Sequence, residues 1–579
     1  MLVKRIVRRR VPAGADWGDL HPVLQRVYAA RAVKSPADLD RSLEGLARVE
    51  CLRGVQQAVA VLEAAVVGGR RILVVGDFDA DGATSCALAV RLLRDLGASW
   101  VHYLVPNRFE YGYGLTPEIV EVAAQWSPDV IVTVDNGISS VEGVSAARER
   151  GMQVVVTDHH LPGSVLPGAD AIVNPNQPHD TFPSKHLAGV GVIFYVLLAL
   201  RARLRDTDWF QRRIVEVPNL ADRLDLVALG TVADVVPLDH NNRILVEQGL
   251  RRIRAGRCCP GILALLEVAN RSPRRLVAAD LGFAVGPRLN AAGRLEDMSL
   301  GIECLLTDDA ARARELAVKL DALNRERREI ESQMREQAMA EIERLHLDPD
   351  SAGLPTALCL FDESWHQGVI GIVASRVKER LHRPVIAFAP AGDGEIKGSA
   401  RSIPGLHVRD ALDAVATRHP GLINKFGGHA MAAGLSLKRG DLDAFRDAFE
   451  QEVRSHLDDA DLEGVVHSDG ELAVGELGLE LAQVLRAGGP WGQGFPEPVF
   501  DGVFEVLDER VVGEKHLKLV VRPLGGDIAL DAIAFNALEH GWPTGAARLR
   551  LAYRLDVNEF RGNSSPQLVV EYMEAGNVA

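Results

Sequence analysis

The sequence predicts an α/β chain of several domains: a parallel-sheet domain, a long connecting helix, a second α/β domain and a C-terminal β-barrel of the OB type. Three observations lead there. Between about residues 50 and 240, short apolar β-rich runs alternate with amphipathic stretches, the pattern of a parallel sheet covered by helices on both faces. From Asp308 to Leu345 the chain is highly charged and carries one narrow apolar stripe. Beyond about residue 465 come β-rich segments separated by Gly, Pro and Asn turns, which suit a small closed or nearly closed barrel.

The elements follow in order. The N-terminal "MLVKRIVRRRVPAG" holds Lys4, Arg5, Arg8, Arg9 and Arg10; by default such a cluster is a solvated terminal face. It has no sustained apolar core, so no secretory leader is expected. "RRILVVGDFD", "DVIVTVDNG" and "QVVVTDHH" are apolar runs of strand length, with helical stretches over Thr84–Leu96 and Ser139–Arg150 between them. The apolar run Leu187 to Leu200 is shorter than the roughly 18–20 residues that span a bilayer and is expected to be a buried helix. Leu316, Leu320, Leu323, Ile330, Met334 and Ile342 are spaced as one stripe of a long helix bridging two domains. "TALCLF", "PVIAFA" and "KFGGHAMAAGLSL" mark the second α/β region.

The 579 residues exceed one core, so about three or four domains are expected. Hydrophobic residues make up 47%, which excludes a largely disordered chain. Six cysteines without a C-x-x-C pair are expected to be reduced core residues, and the compartment cytoplasmic. A net charge of −14 argues against a general nucleic-acid coat protein but leaves room for a local basic channel.

Chemistry is concentrated at a few points: Asp77, Asp79 and Asp81, then Asp135, then Asp158, His159 and His160, then Asp234. A single Asp at a strand end is usually a cap or turn former. Four segments delivering acids to corresponding strand ends are harder to explain, because clustered carboxylates raise one another's pKa. A mixed Asp/His set without cysteine suits Mn²⁺ or Mg²⁺ rather than structural zinc. The ligand count allows two cations about 3.5–4 Å apart, an arrangement that assists in-line attack at phosphorus.

These residues carry a resemblance. "GDFDADGATS", "VTVDNGIS", "VTDHHLPG" and "ALGTVADVVPL" resemble the four motifs of the DHH phosphoesterase superfamily, and "KFGGHAMAAGLSL" resembles the GGH motif of its DHHA1 companion domain. "GPRLNAAGRL", "WHQGVIGIVASRVKERLHRPVIAFA" and "KGSARSIPGLHVRDAL" are similar to one branch, the bacterial single-stranded-DNA-specific 5′→3′ exonucleases. The likeness covers nearly the whole chain. It divides it into an N-terminal segment (1–49), a DHH domain with a helical extension (50–307), a connecting helix (308–350), a DHHA1 domain (351–460) and an OB domain (461–579).

The resemblance implies Asp79, Asp81, Asp135, His159 and Asp234 as metal ligands, with Asp135 bridging two ions. It implies Asp77 and Asp158 as supporting residues, Asp158 orienting an imidazole, and His160 facing the scissile phosphate. Arg108 and Arg288 are expected to bind phosphate, as are Gly427, Gly428 and His429. Tyr111 and Tyr113 are expected either to stack on bases or to pack in a core. Ser399, Arg401 and Arg108 are expected to meet as a clamp for a terminal 5′ phosphate. Ala400 stands where this branch more often has Gly, which is expected to alter loop flexibility.

The implied function is metal-dependent release of nucleoside 5′-monophosphates from single-stranded DNA, in recombination and mismatch repair. A monomer is expected, with a helicase and a single-strand-binding protein as partners and no membrane. The alternatives are a small-substrate phosphodiesterase or pyrophosphatase, and a non-catalytic replication scaffold.

Overall fold

The computed structural model describes residues 4–12, 17–106, 114–344, 355–458, 461–560 and 562–576. After β1 (Lys4–Arg8), five strands form the first sheet: β2 (Arg71–Gly76), β3 (Trp100–Leu104), β4 (Val130–Val134), β5 (Gln153–Thr157) and β6 (Ala171–Val173). They lie in the order β3-β2-β4-β5-β6, and every pairing is parallel. Alternate side chains enter two cores, with Ile72 and Val74 on one face and Leu73 and Val75 on the other. This is why these strands read as continuous apolar runs rather than alternating ones.

Helix α1 (Ala80–Asp95) follows β2 directly, and α2 (Gly189–Asp206) takes up the long apolar run. Nearly all of the α2 side chains up to Leu200 are buried, as expected of a core helix. Asp234, expected at a strand end, instead caps the C-terminus of α3 (Leu224–Ala233). The apolar run before it is long enough for a helix, and length decides such cases. Helix α4 (Gly286–Leu295) continues a five-residue π-helical turn, Leu281–Val285.

The connecting helix α5 runs over Ala310–Arg344. Leu316, Leu320 and Leu323 join the first core, whereas Met334 joins a core of the second α/β domain. In that domain β7 (Leu358–Phe361), β8 (Val385–Gly392), β9 (Glu395–Arg401), β10 (Lys425–Gly428) and β11 (Ala432–Lys438) are ordered β10-β11-β9-β8-β7. Helix α6 (Ile370–Leu381) crosses it between β7 and β8. Strand β12 (Gly464–Ser468) precedes the barrel strands β13 (Phe500–Val512), β14 (His516–Pro523), β15 (Leu530–Ala534), β16 (Arg548–Phe560) and β17 (Asn563–Ala575). These close in the order β13-β14-β15-β17-β16.

Arg5, Arg8 and Arg10 of the basic N-terminus are exposed, as expected of a solvated face, but the segment is also anchored. Strand β1 pairs in parallel with β12. Arg8 donates to both oxygens of the buried Asp501 at 2.9 Å, and Arg31 grips Asp469 with bonds of 2.8 and 2.9 Å. Tyr28 stacks with Trp491 and Phe495. The first 50 residues therefore fasten the barrel to the first domain, and the apolar side chains of both form one continuous core. All six cysteines are free thiols. Among the described residues no single helix is long and apolar enough to cross a membrane.

Candidate active site

The acidic residues converge at the carboxyl ends of β2, β4 and β5, where ligands of parallel sheets sit. Asp77 follows β2, and Asp79 caps α1 by accepting the Gly82 N–H at 3.0 Å. Asp81, in the first turn of α1, accepts the N–H groups of Gly189 (2.6 Å) and Val190 (3.0 Å) at the start of α2. Asp135 follows β4 with φ +62°, a left-handed conformation uncommon outside glycine. A Cβ at Gly189 would lie 2.5 Å from that of Asp135, so only glycine lets α2 come this close.

Three sets of candidate ligand atoms overlap, each within 4.8 Å: Asp77, Asp79 and Asp135; Asp81, His159 and Asp234; Asp135, His159 and His160. Asp135 and His159 each belong to two of them. His159 Nε2 lies 3.1 Å from Asp135 and 3.5 Å from Asp234. Buried His159 Nε2 and Asp234 Oδ2 make no hydrogen bond among the described residues. Asp77 stands among the possible ligands as well as beside them.

The electrostatics are costly. Burial, then neighbouring carboxylates, push Asp77, Asp135 and Asp234 well above the usual carboxylate range. Burial and Asp79 raise Asp81 to about 7 even though it accepts two backbone N–H bonds. Asp234 also sits at the negative end of α3, where the helix dipole opposes another negative charge. Val235, next in the chain, is β-branched at φ +61°, a strained conformation of the kind found at functional sites. Such a cluster is stable only protonated or with bound cations, and its orphaned imidazole and carboxylate atoms fit a divalent ion.

The two histidines are held in opposite states. Burial and the charge of His160 lower His159 to about 3, leaving the neutral imidazole that metals bind. His160 is raised to about 9: burial opposes its charge, but the Asp158 hydrogen bond and charge outweigh it. That bond runs from Nδ1 to Asp158 Oδ1 at 2.8 Å. Asp158 also accepts the N–H groups of Ile138, His159 and His160, so it supports the site rather than joining a ligand set. Asn174 and Asn176 donate to the carbonyls of His160 and His159. Sequence reasoning missed these two asparagines, whose short "NPN" spacing is only a turn signal.

The second α/β domain closes the other side. The His429 ring stacks 6.1 Å from that of His160, and Gly427 and Gly428 are exposed beside it. Ser399 and Arg401 alternate with Ala400 on β9, and Arg401 donates to Ser399 Oγ (3.1 Å) and the Ala400 carbonyl (2.8 Å). Both abut Gly371 in the first turn of α6, where a Cβ would meet each at 2.8 Å. Burial pushes the Arg401 guanidinium below its ordinary value, and no carboxylate lies within ion-pair distance of it among the described residues.

Arg288, expected to bind phosphate, is buried, paired with Asp321 of α5 at 2.8 Å, and donates to the Ala284 carbonyl. Its charge is already neutralised in the joint between α4 and α5. Ala400, expected to bear on loop flexibility, is the penultimate residue of β9 and is buried in the domain core. Arg108, Tyr111 and Tyr113 lie outside the described residues.

Fold and site together define a protein of the DHH–DHHA1 class: residues 71–231 match "DHH family, N-terminal domain", 354–455 match "DHHA1 domain" and 468–572 match "RecJ OB domain". The single-stranded-DNA-specific exonuclease RecJ of Dickeya dadantii is 60% identical over 569 residues, 98% of each chain. A crystal structure of RecJ from Thermus thermophilus in complex with Mn²⁺ matches at 31% identity and TM-score 0.78, covering 97% of this chain and 77% of that one. The same protein with Mg²⁺ matches at 29% identity and TM-score 0.72, over 97% and 76%. The chain belongs to the RecJ family of single-stranded-DNA-specific exonucleases, and that reading is better supported than a small-substrate phosphodiesterase or a scaffold.

Proposed function

We propose that the chain is a divalent-metal-dependent exonuclease that hydrolyses single-stranded DNA from its 5′ end to nucleoside 5′-monophosphates. The observation that carries this is the meeting of an acid-rich wall, centred on Asp135, His159 and Asp234, with a wall presenting His429, Ser399 and Arg401. Asp77, Asp79, Asp81, Asp135, His159 and Asp234 would hold Mn²⁺ or Mg²⁺, and the ligand count would allow two ions. When bound, these ions lower the pKa of the attacking water and neutralise phosphate charge.

The chain's own residues supply orientation. Arg401 and Ser399, at the N-terminus of α6, hold a terminal 5′ phosphate, which a helix N-terminus also favours. By the family resemblance Arg108 would join this clamp. His160, kept protonated by Asp158, donates a hydrogen bond to the scissile phosphate, and the Gly427–Gly428 backbone with His429 covers it from the other wall. Water adds to phosphorus and the 3′ oxygen of the first nucleotide leaves. The shortened strand begins again with a 5′ phosphate.

The barrel, anchored by the N-terminal segment, holds the incoming strand. By family resemblance the enzyme acts as a cytoplasmic monomer in recombination and mismatch repair, beside a helicase and a single-strand-binding protein. A time course on end-labelled DNA with Mn²⁺ or Mg²⁺ tests this: mononucleotides should appear from the 5′ end and none with chelator. Release from the 3′ end, or preference for a dinucleotide over a long strand, would overturn it.

A further inference from the structure

The loop that carries Asp135 is pinned by the side chain that follows it. Asn136 is fully buried, and its amide nitrogen donates to two main-chain carbonyls, Val75 at 3.0 Å and Val134 at 2.9 Å. Both partners are acceptors, which fixes the orientation of the amide. Its Oδ1 makes no hydrogen bond among the described residues. A buried acceptor left open costs stability, so core packing alone would not select this side chain.

The two carbonyls belong to different strands. Val75 lies near the end of β2, and Val134 is the last residue of β4. The pairing of these strands stops at Gly76 and Val134. Just beyond, β2 leads into Asp77 and β4 into Asp135, two members of one ligand set. The Asn136 amide therefore joins the strands where their ladder ends. The rest of the loop is tied elsewhere. The Asp135 N–H bonds the Thr157 carbonyl of β5 at 3.0 Å, and the Ile138 N–H bonds Asp158 at 2.9 Å. A Cβ on Gly137 would lie 2.4 Å from Thr133 Oγ1 of β4. Of these ties, only the Asn136 amide reaches β2.

We infer that Asn136 is a positioning residue that holds Asp77 and Asp135 at the separation a divalent cation requires. This rests on the metal-site reading above and adds a residue outside the ligand sets. Asp77 and Asp135 repel each other as charged groups, and the amide keeps the two strand ends from spreading. A cation then meets ligands already in place, and less of its binding free energy goes into ordering them.

The test is titration of the full chain with Mn²⁺ in the absence of DNA, free Mn²⁺ being followed by electron paramagnetic resonance. Asn136→Leu keeps the bulk, removes both donors and should raise the Kd for Mn²⁺ at least about tenfold. Half-maximal cleavage by this variant should need correspondingly more Mn²⁺, whereas KM for single strands at saturating metal should change little. Should Asn136→Leu fail to fold, Asn136→Ser, with one donor on a shorter side chain, is read in the same way. Val59→Ala supplies the comparison, because Val59 is buried in the helix Val55–Gly68 outside the ligand sets. It should lower Tm without moving the Mn²⁺ Kd. A Kd in the Asn136 variant equal to that of the wild type, or a shift reproduced by Val59→Ala, overturns the inference. A wild type that binds no Mn²⁺ defeats the metal-site reading itself, before any variant is compared.

Discussion

On one wall of the cleft Asp77, Asp81 and Asp135 are buried beside the half-buried Asp234; on the other Arg401 is half-buried, with a hydroxyl and a carbonyl as its hydrogen-bond partners among the described residues. The N-terminal arginines behave differently. Arg8 and Arg31 each meet a buried carboxylate with two hydrogen bonds. In this fold, neutralised charges fasten elements together, and charges left without counterions face the place where a ligand brings its own. Substitutions on either side of that contrast should therefore have different consequences.

The largest effect belongs to Asp135. If it lies between two cations, Asp135→Asn should lower kcat at least about a thousandfold, roughly 4 kcal/mol of transition-state stabilisation. Binding of single strands should largely survive, because the opposite wall and the barrel are untouched. Single-turnover cleavage and a filter-binding assay separate the two. Near-normal cleavage would remove Asp135 from the metal site.

The cluster also makes stability depend on pH in a definite direction. Asp81 has a folded value of about 7 against an ordinary 3.8, so the metal-free fold binds extra protons and loses stability as pH rises between them. His160, raised to about 9 from 6.5, contributes stability that is full below about 6.5 and lost as pH climbs through 9. Both slopes run the same way. His159, lowered to about 3 from 6.5, runs against them below about 6.5 and adds nothing above it. The fall in stability is therefore clearest between about 6.5 and 9. Cations replace the protons, so their stabilisation should grow with pH, reaching about 3 kcal/mol at a hundredfold excess over Kd. Melting curves with chelator or Mn²⁺ between pH 5 and 9 check this; a gap independent of pH would contradict it.

Next comes the cationic wall. Arg401→Ala should penalise 5′-phosphorylated strands by roughly 1.5–3 kcal/mol, the scale of a charge-assisted hydrogen bond, and 5′-hydroxyl strands much less. Competition between the two substrates reads the difference directly. Equal loss on both would place the terminal phosphate elsewhere.

How much of this was legible depended on distance along the chain. The three motif strands showed as local apolar runs, and the long helix as a single stripe, because periodicity is a short-range signal. Edge strands β3 and β6 were missed: one is diluted by tryptophan and histidine, the other is three residues long. Asp234 was placed correctly in the cluster but on the wrong element. The pairing of β1 with β12 joins residues some 460 apart, and no local pattern announces it; the same holds for Arg288 and Asp321. It also means that removing the barrel would expose the N-terminal segment and part of the first core, so truncation is a poor test of strand binding.

The smallest effect separates the strand that carries the clamp from the clamp itself. Ala400 lies between Ser399 and Arg401, but side chains alternate along a strand. Its methyl enters the core with Ile396, Leu435 and Phe449, while its neighbours face Gly371 of α6. The strand is paired on both sides, with Ala400 opposite Ile386 and Ala433, so glycine here has little loop freedom to release. Ala400→Gly should therefore cost about 1 kcal/mol of stability through lost packing and added unfolded-state entropy, visible as a modest fall in Tm. The preference for 5′-phosphorylated over 5′-hydroxyl strands should stay the same, because Ser399 and Arg401 keep their positions. A change in that preference without a fall in Tm would show that the residue tunes the clamp and that the two faces of β9 are not independent.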